Sequence, residues 1–196
     1  MFRGFLFAKL YLLSLIASYN SELSDTLKHL RMEEGDYEKL KQLEEAFERK
    51  DLAFFKAFLS DSRDFPLLLR VHSVCMLEHI GNEEMVDPLA RVLKEDPSPL
   101  TRHEAAFTLG QLGFRSAVPA LVDAMLRDES PIVRHESAVA LSSIGDDDVI
   151  SQLERAIEDK DEDVSNSALI AFEYLGYLRS KKRNESQELV KPRIRL

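Results

Sequence analysis

The residues best suited to chemistry are two His-Glu doublets that occupy equivalent places in neighbouring repeats. His103-Glu104 and His135-Glu136 lie 32 residues apart. Imidazole and carboxylate groups without a thiolate suit iron, manganese or zinc, and non-haem iron in particular. The spacing predicts that the two histidines point the same way from adjacent helices. These four residues are therefore the candidate metal ligands; the chain has no glycine-rich phosphate loop that would indicate an organic cofactor.

The doublets also have a purely structural explanation. A carboxylate near the start of a helix interacts favourably with the helix dipole, which accounts for Glu104 and Glu136 without any function. The preceding arginines, Arg102 and Arg134, can each pair with the next loop. Duplication of a repeat also copies residues without selecting them. The residue pattern by itself leaves the metal site and the structural role open.

A repeat of about 32 residues organises the chain. Four segments end in the same pattern of a helix followed by glycine, at Gly81, Gly113, Gly145 and Gly176, with spacings of 32, 32 and 31 residues. A fixed period of this length is typical of stacked helical hairpins. The alternation typical of strands is absent. The sequence predicts an all-α, HEAT-like solenoid of about four repeats over residues 36–178, including N-terminal helices that begin the stack.

Local signals agree with this period. Ser98 and Ser130, each followed by proline, predict helix N-caps. Gly113, Gly145 and Gly176 stand where left-handed C-caps are expected. Apolar residues recur at offsets of three and four, so each helix should bury one face. On the second helices of the repeats these apolar residues are Ala106, Leu109 and Leu112, then Ala138, Leu141 and Ile144, then Leu169, Phe172 and Leu175.

Composition restricts the function classes. The chain carries a net charge of -9, and its basic tail, residues 179–196, leaves -14 for residues 1–178. Such a body should repel nucleic acid. Cys75 is the single cysteine, which excludes an intrachain disulfide and a cysteine-based zinc site. We expect a cytoplasmic protein in which Cys75 is a small buried hydrophobe.

The two ends differ from the repeats. Residues 1–35 begin with an apolar run that Lys9 interrupts, and this run is too short for a membrane-spanning helix. Three interpretations remain: a helix packed on the end of the stack, a weak signal or interfacial segment, or a non-native extension upstream of a start at Met32. The first and the third are preferred. Residues 179–196 are basic and poor in apolar residues, which predicts a flexible tail.

The repeats resemble one half of deoxyhypusine hydroxylase, and more loosely the phycobilisome-lyase class of HEAT-like repeats. The segments that carry the resemblance are 102–126 (RHEAAFTLGQLGFRSAVPALVDAML) and 133–153 (VRHESAVALSSIGDDDVISQL). The resemblance implies an enzyme of two symmetric halves with four repeats each. His-Glu doublets in the middle two repeats of each half would hold two irons, which activate dioxygen to hydroxylate a modified lysine on a translation factor.

This chain has two doublets instead of four. A twofold homodimer would restore the count, because such an interface presents the same surface twice. The resemblance then implies that His103 and His135 of one chain bind one iron, completed by a glutamate of the partner chain, most simply Glu104, with two irons per dimer. The protein would be an iron-dependent monooxygenase acting on a protein substrate in the concave groove.

Two other functions stay open at this point. One is a non-catalytic HEAT-repeat scaffold that binds a protein partner in the same groove. The other is a lyase or chaperone-like factor for bilin-bearing proteins, which only the repeat similarity suggests.

Overall fold

The computed structural model describes the backbone of residues 33–190 and the side chains of residues 33–183. This part of the chain is helical throughout, and short 3-10 turns precede several of the helices. The α-helices are α1 (Glu34–Glu48), α2 (Leu52–Asp61), α3 (Leu67–Ile80), α4 (Val86–Glu95), α5 (Pro99–Leu112), α6 (Val118–Arg127), α7 (Pro131–Ile144), α8 (Ile150–Ala156) and α9 (Glu162–Val190).

The helices pair into four antiparallel hairpins that stack on one another. Helices α2, α4, α6 and α8 form one layer, whereas α3, α5, α7 and α9 form the other, and each helix packs against the equivalent helix of the next hairpin. Helix α1 packs on α2 and α3 at the start of the stack. The all-α, HEAT-like solenoid of four repeats is therefore confirmed.

The core lies between the two layers and follows the predicted apolar pattern in the central repeats. Ala106, Leu109, Ala138 and Leu141 are completely buried. Leu169 departs from the prediction, because 43% of its surface is exposed. It lies on α9, the last helix of the stack, so the prediction that this residue is buried was wrong.

The helix ends explain two of the three predicted glycine caps. Gly113 and Gly145 adopt φ angles of 74° and 72°, the left-handed conformation that ends α5 and α7. The predicted cap at Gly176 is wrong, since Gly176 lies inside α9. Most of the residues after it are Leu, Lys, Arg, Glu and Gln, which are good helix formers, and no glycine or proline follows before the helix ends at Val190.

The ends of the chain bear on the predicted boundaries. Leu178 packs against the core, and residues 179–183 are exposed. The backbone nevertheless stays helical to Val190, whereas the sequence predicts a flexible tail from residue 179. The interpretations of the apolar run in residues 1–35 lie almost wholly outside the described residues. None of the described helices combines the length and apolar character that a membrane span requires.

Candidate metal centre

His103 lies in the second turn of α5, where it faces α7. Its Nε2 is 3.3 Å from Oε2 of Glu136, and both side chains are largely buried, with 13% and 11% of their surface exposed. The other ring nitrogen, Nδ1, is buried and has no hydrogen-bond partner among the described residues. Buried polar atoms without a partner are uncommon in folded proteins. The imidazole of His103 is therefore incompletely satisfied by the part of the chain that the structure describes.

His135 occupies the same place on α7 and faces α9. Its Nδ1 lies 2.8 Å from the hydroxyl oxygen of Ser167 and 3.5 Å from the carbonyl oxygen of Asp163. A hydroxyl can donate or accept a hydrogen bond, so this contact suits either tautomer of the ring. Because Nδ1 is engaged with α9, Nε2 is the nitrogen left for a metal ion. Metal-binding histidines are commonly oriented in this way, by a hydrogen bond at the ring nitrogen that does not bind the metal.

Glu104 points away from His103, as expected for successive residues on a helix. It is buried, with 4% of its surface exposed, and the Cys75 thiol donates a hydrogen bond to its Oε1. Cys75 is itself buried on α3, as predicted. The thiol therefore holds the Glu104 carboxylate from the preceding repeat, a role that the sequence analysis did not foresee.

The contacts of His103 and His135 involve equivalent positions in successive repeats. Glu104, Glu136 and Ser167 each lie nine residues before the glycine of their own repeat. His103 contacts the residue at this position in the third repeat, and His135 contacts the residue at this position in the fourth. Each histidine thus reaches towards the following repeat, which agrees with the prediction that the two rings face the same way.

The four predicted ligands do not converge on one point within a single chain. Among the described residues, Asp146, Asp147 and Asp148 form the one group of three or more metal-binding side chains whose donor atoms lie within 4.8 Å of one another. That group needs no ion, because Arg115 already binds Asp146 and Asp148 at 2.8 and 3.2 Å. The structure brings His103 and Glu136 together, and it keeps Glu104 and His135 in separate contacts.

The donor set nevertheless fits an iron ion. Nδ1 of His103 is a buried donor, the contacts of His135 leave its Nε2 for an ion, and Glu104 supplies a buried carboxylate. These residues offer imidazole and carboxylate donors and no thiolate ligand, which is the set that non-haem iron prefers.

Two equivalent arginines, Arg102 and Arg134, position the two doublets, and we call this pair with its aspartate partners the arginine ladder. Nε and Nη2 of Arg102 bind both oxygens of Asp128 at 2.8 and 2.9 Å. Arg134 binds Asp159 in the same manner at 2.7 and 2.9 Å. Both aspartates lie in the loop of the following repeat, so the predicted pairing of each arginine with the next loop is confirmed. Paired planar bonds of this kind fix orientation as well as adding energy, and they hold α5 and α7 in register.

These ion pairs shift the protonation equilibria of their members. Hydrogen bonds from Arg134 lower the pKa of Asp159 below its usual value of 3.8. Hydrogen bonds to Asp128 raise the pKa of Arg102, and those to Asp159 raise the pKa of Arg134. All three groups are therefore charged at neutral pH.

The Asp residues also explain the helix starts. Ser98 and Ser130 are the N-cap residues of α5 and α7, as predicted, but within the described part of the chain their side chains make no capping bond. Instead, Oδ1 of Asp96 accepts a hydrogen bond from the backbone N–H of Ser98, and Oδ1 of Asp128 accepts one from Ser130. Asp128 thus shapes the turn and receives Arg102 of the preceding repeat, and Asp96 does the same for Arg70 at 3.3 Å.

Comparison with known proteins agrees with this fold. The family model for HEAT repeats matches residues 86–173. Deoxyhypusine hydroxylase of Eremothecium gossypii is 41% identical over 128 residues, which cover 65% of this chain and 39% of that protein. The solved structure of human deoxyhypusine hydroxylase in complex with glycerol superposes with a TM-score of 0.60 and 29% identity, covering 70% of this chain and 46% of that one.

The chain is a HEAT-like repeat protein related to deoxyhypusine hydroxylase. Shorter matches to the same enzyme support this: the Cryptococcus neoformans protein is 42% identical over 64 residues, or 32% of this chain and 18% of that protein. The Schizosaccharomyces pombe protein is 48% identical over 50 residues, or 26% and 15% of the respective chains. The chain spans less than half the length of each of these relatives.

Proposed function

We propose that this deoxyhypusine hydroxylase-related chain supplies half of a hydroxylase-type iron centre and that two copies complete it. The observation that supports the proposal is the equivalence of the two doublets. His103 and His135 make equivalent contacts between repeats, and among the described residues each keeps one ring nitrogen available for a metal ion. Nδ1 of His103 is buried without a partner, and the engagement of Nδ1 of His135 leaves its Nε2 for a metal. The relatives that match this chain are named as deoxyhypusine hydroxylases.

Each predicted ligand has a role in this proposal. His103 and His135 of one chain hold one iron through their imidazoles. Glu104 of the facing chain completes the same iron, and the buried contact with Cys75 keeps that carboxylate in place before the chains meet. Glu136 lies against His103 and fixes its ring from α7. A dimer therefore holds two irons.

The bound iron pair would supply the activation of dioxygen for hydroxylation. The chain's own residues bind and orient the reactants. The protein substrate would enter the concave groove, and the acidic body would favour a cationic amine such as a modified lysine. The arginine ladder keeps α5 and α7 in register, so that both imidazoles are presented together.

Metal analysis tests this proposal. The full chain would be purified from iron-supplemented cells, and iron per chain, absorption spectrum and mass by light scattering would be measured. The proposal predicts one iron for each chain in a dimer, with loss of the iron on His103→Ala or His135→Ala. His79→Ala is the matched control, because His79 is an exposed histidine on α3 outside the doublets.

Two results would decide against the iron centre. A metal-free chain in iron-supplemented cells would contradict it, as would iron that survives both doublet substitutions. A specific observation then favours the scaffold: α9 exposes several large apolar side chains, as expected for a protein-binding surface. In that case the groove would bind a protein partner without catalysis.

A further inference from the structure

The outward face of α9 carries a cluster of exposed apolar residues. Leu169, Ile170, Tyr174 and Tyr177 are 43%, 69%, 50% and 61% exposed. Single exposed hydrophobic residues are ordinary, whereas a cluster on one helix indicates an interaction surface. Ile170 occupies the position of Val139 in the preceding repeat, which is itself 38% exposed, so this side of the helix is open in both repeats.

Leu169 points away from the other three, because successive residues on a helix lie about 100° apart. The equivalent residues of the two preceding repeats, Ala106 and Ala138, are completely buried. Leu169 therefore belongs to the side of α9 that faces a following repeat elsewhere in the stack, and the surface considered below consists of Ile170, Tyr174 and Tyr177.

Charged residues flank the cluster in a defined order. Asp163 lies in the first turn of α9, and Lys181 lies eighteen residues further along. Because a helix turns by about 100° per residue, eighteen residues complete about five turns, and both side chains leave the helix on one line. Ile170 and Tyr177 lie close to the same line. We call these residues, with Tyr174, the α9 stripe; it runs from acidic through apolar to basic.

We propose that the α9 stripe binds the α9 stripe of a second copy of this chain in antiparallel orientation. A twofold axis at residue 172 places Ile170 opposite Tyr174 and Asp163 opposite Lys181, and each contact occurs twice. A parallel arrangement would instead place like charges side by side. Charge complementarity of this kind selects both the partner and the orientation.

This contact lies next to the candidate metal centre. The carbonyl oxygen of Asp163, in the first turn of the stripe, is 3.5 Å from Nδ1 of His135. A second copy bound to α9 therefore sits beside the histidine that the proposed function assigns to iron. The contact adds to the proposed function by naming the surface that joins the chains, and it forms without a metal.

Sedimentation equilibrium on the full, metal-free chain tests the proposal. Ile170→Asp should raise the dissociation constant of the dimer by at least about tenfold, because it places two charges in the centre of the interface. Tyr37→Asp is the matched control, since Tyr37 is 61% exposed on α1 at the other end of the stack. It should leave the dissociation constant unchanged. Circular dichroism would show that both variants remain folded.

Charge reversal tests the antiparallel orientation. Asp163→Lys and Lys181→Asp should each weaken the dimer, and the double variant should restore it because opposite charges meet again. A monomeric natural chain, a dimer that survives Ile170→Asp, or a double variant that stays weak would overturn the proposal.

Iron content separates this proposal from the proposed function. A dimer that survives Ile170→Asp and still holds iron would overturn the α9 contact alone. A metal-free dimer that Ile170→Asp dissociates would support the α9 contact and contradict the iron centre.

Discussion

At the scale of single residues, neighbours one repeat away decide which donor atoms are available. The doublets are visible in the sequence as identical residue types at the repeat period. The Cys75–Glu104 and Ser167–His135 contacts are not, because they join residues 29 and 32 positions apart and depend on how adjacent helices are aligned. The register of Ser167 with the two glutamates was the one available signal.

Ser167→Ala should weaken metal binding without loss of fold. The substitution removes the hydroxyl that holds Nδ1 of His135, and loss of such a neighbour typically lowers metal affinity by about 10- to 100-fold. Competition with a chelator would measure this change. Ser143→Ala is the control, because Ser143 is exposed and its hydroxyl donates a hydrogen bond to the carbonyl of Val139 in its own helix. Equal affinities for both variants would contradict the role of Ser167.

The ion pair of Arg134 and Asp159 should give a defined pH dependence. The pKa of Asp159 is lowered in the folded state, so its stabilisation is present above about pH 3.8 and is lost as the pH falls through the lowered pKa. Asp159→Asn should therefore reduce the free energy of unfolding by about 2 to 3 kcal/mol at neutral pH.

Urea unfolding at a series of pH values would measure this difference. It should shrink below about pH 3.8, where the natural chain also loses the ion pair. Asp148→Asn, in a pair of exposed residues with Arg115, should have little effect. A difference between Asp159→Asn and the natural chain that persists undiminished in acid would argue against the ion pair as its cause.

At the scale of helices, the sequence predicts the repeats well and the last helix poorly. The period, the apolar offsets and the capping glycines at Gly113 and Gly145 are local signals, and each is confirmed. Gly176 and Leu169 carry the same local signals in a different setting. Both lie on the last described helix of the stack. There the local pattern does not predict where the helix ends or whether Leu169 is buried, although the same pattern predicts both features correctly in the central repeats.

Two glycines offer a matched test of helix packing. A Cβ at Gly110 would lie 2.7 Å from Cβ of Ala140, so Gly110→Ala must push α5 away from α7. We expect an overpacking cost of about 1 to 3 kcal/mol, which outweighs the gain of about 1 kcal/mol from removing a helix glycine.

Gly176 is the control within the same fold. A Cβ there would meet no atom of the described residues within 4 Å. Gly176→Ala should therefore raise the free energy of unfolding by up to about 1 kcal/mol. Thermal or urea unfolding of both variants measures the two effects, and a stabilising Gly110→Ala would show that α5 and α7 are not closely packed at this point.

At the scale of the whole molecule, the repeat architecture presents the doublets but does not complete a site within one chain. The solenoid and the relation to deoxyhypusine hydroxylase could both be predicted, because repeats and motifs are encoded locally. Assembly could not, since it depends on the outer surfaces of a stack whose ends carry no repeat signal. The proposed centre therefore depends on whether His103 and His135 of one chain share an ion with Glu104 of another.

Mixing two defective chains tests this sharing most directly. One chain would carry His103→Ala and His135→Ala, and the other would carry Glu104→Ala. Neither should retain iron alone, because each lacks one part of every site. In the mixed dimer, one site regains both histidines and the partner's Glu104, so the account predicts that iron binding reappears only on mixing. Two variants that remain metal-free when mixed under conditions where the natural chain binds iron, or a Glu104→Ala chain that binds iron alone, would contradict it.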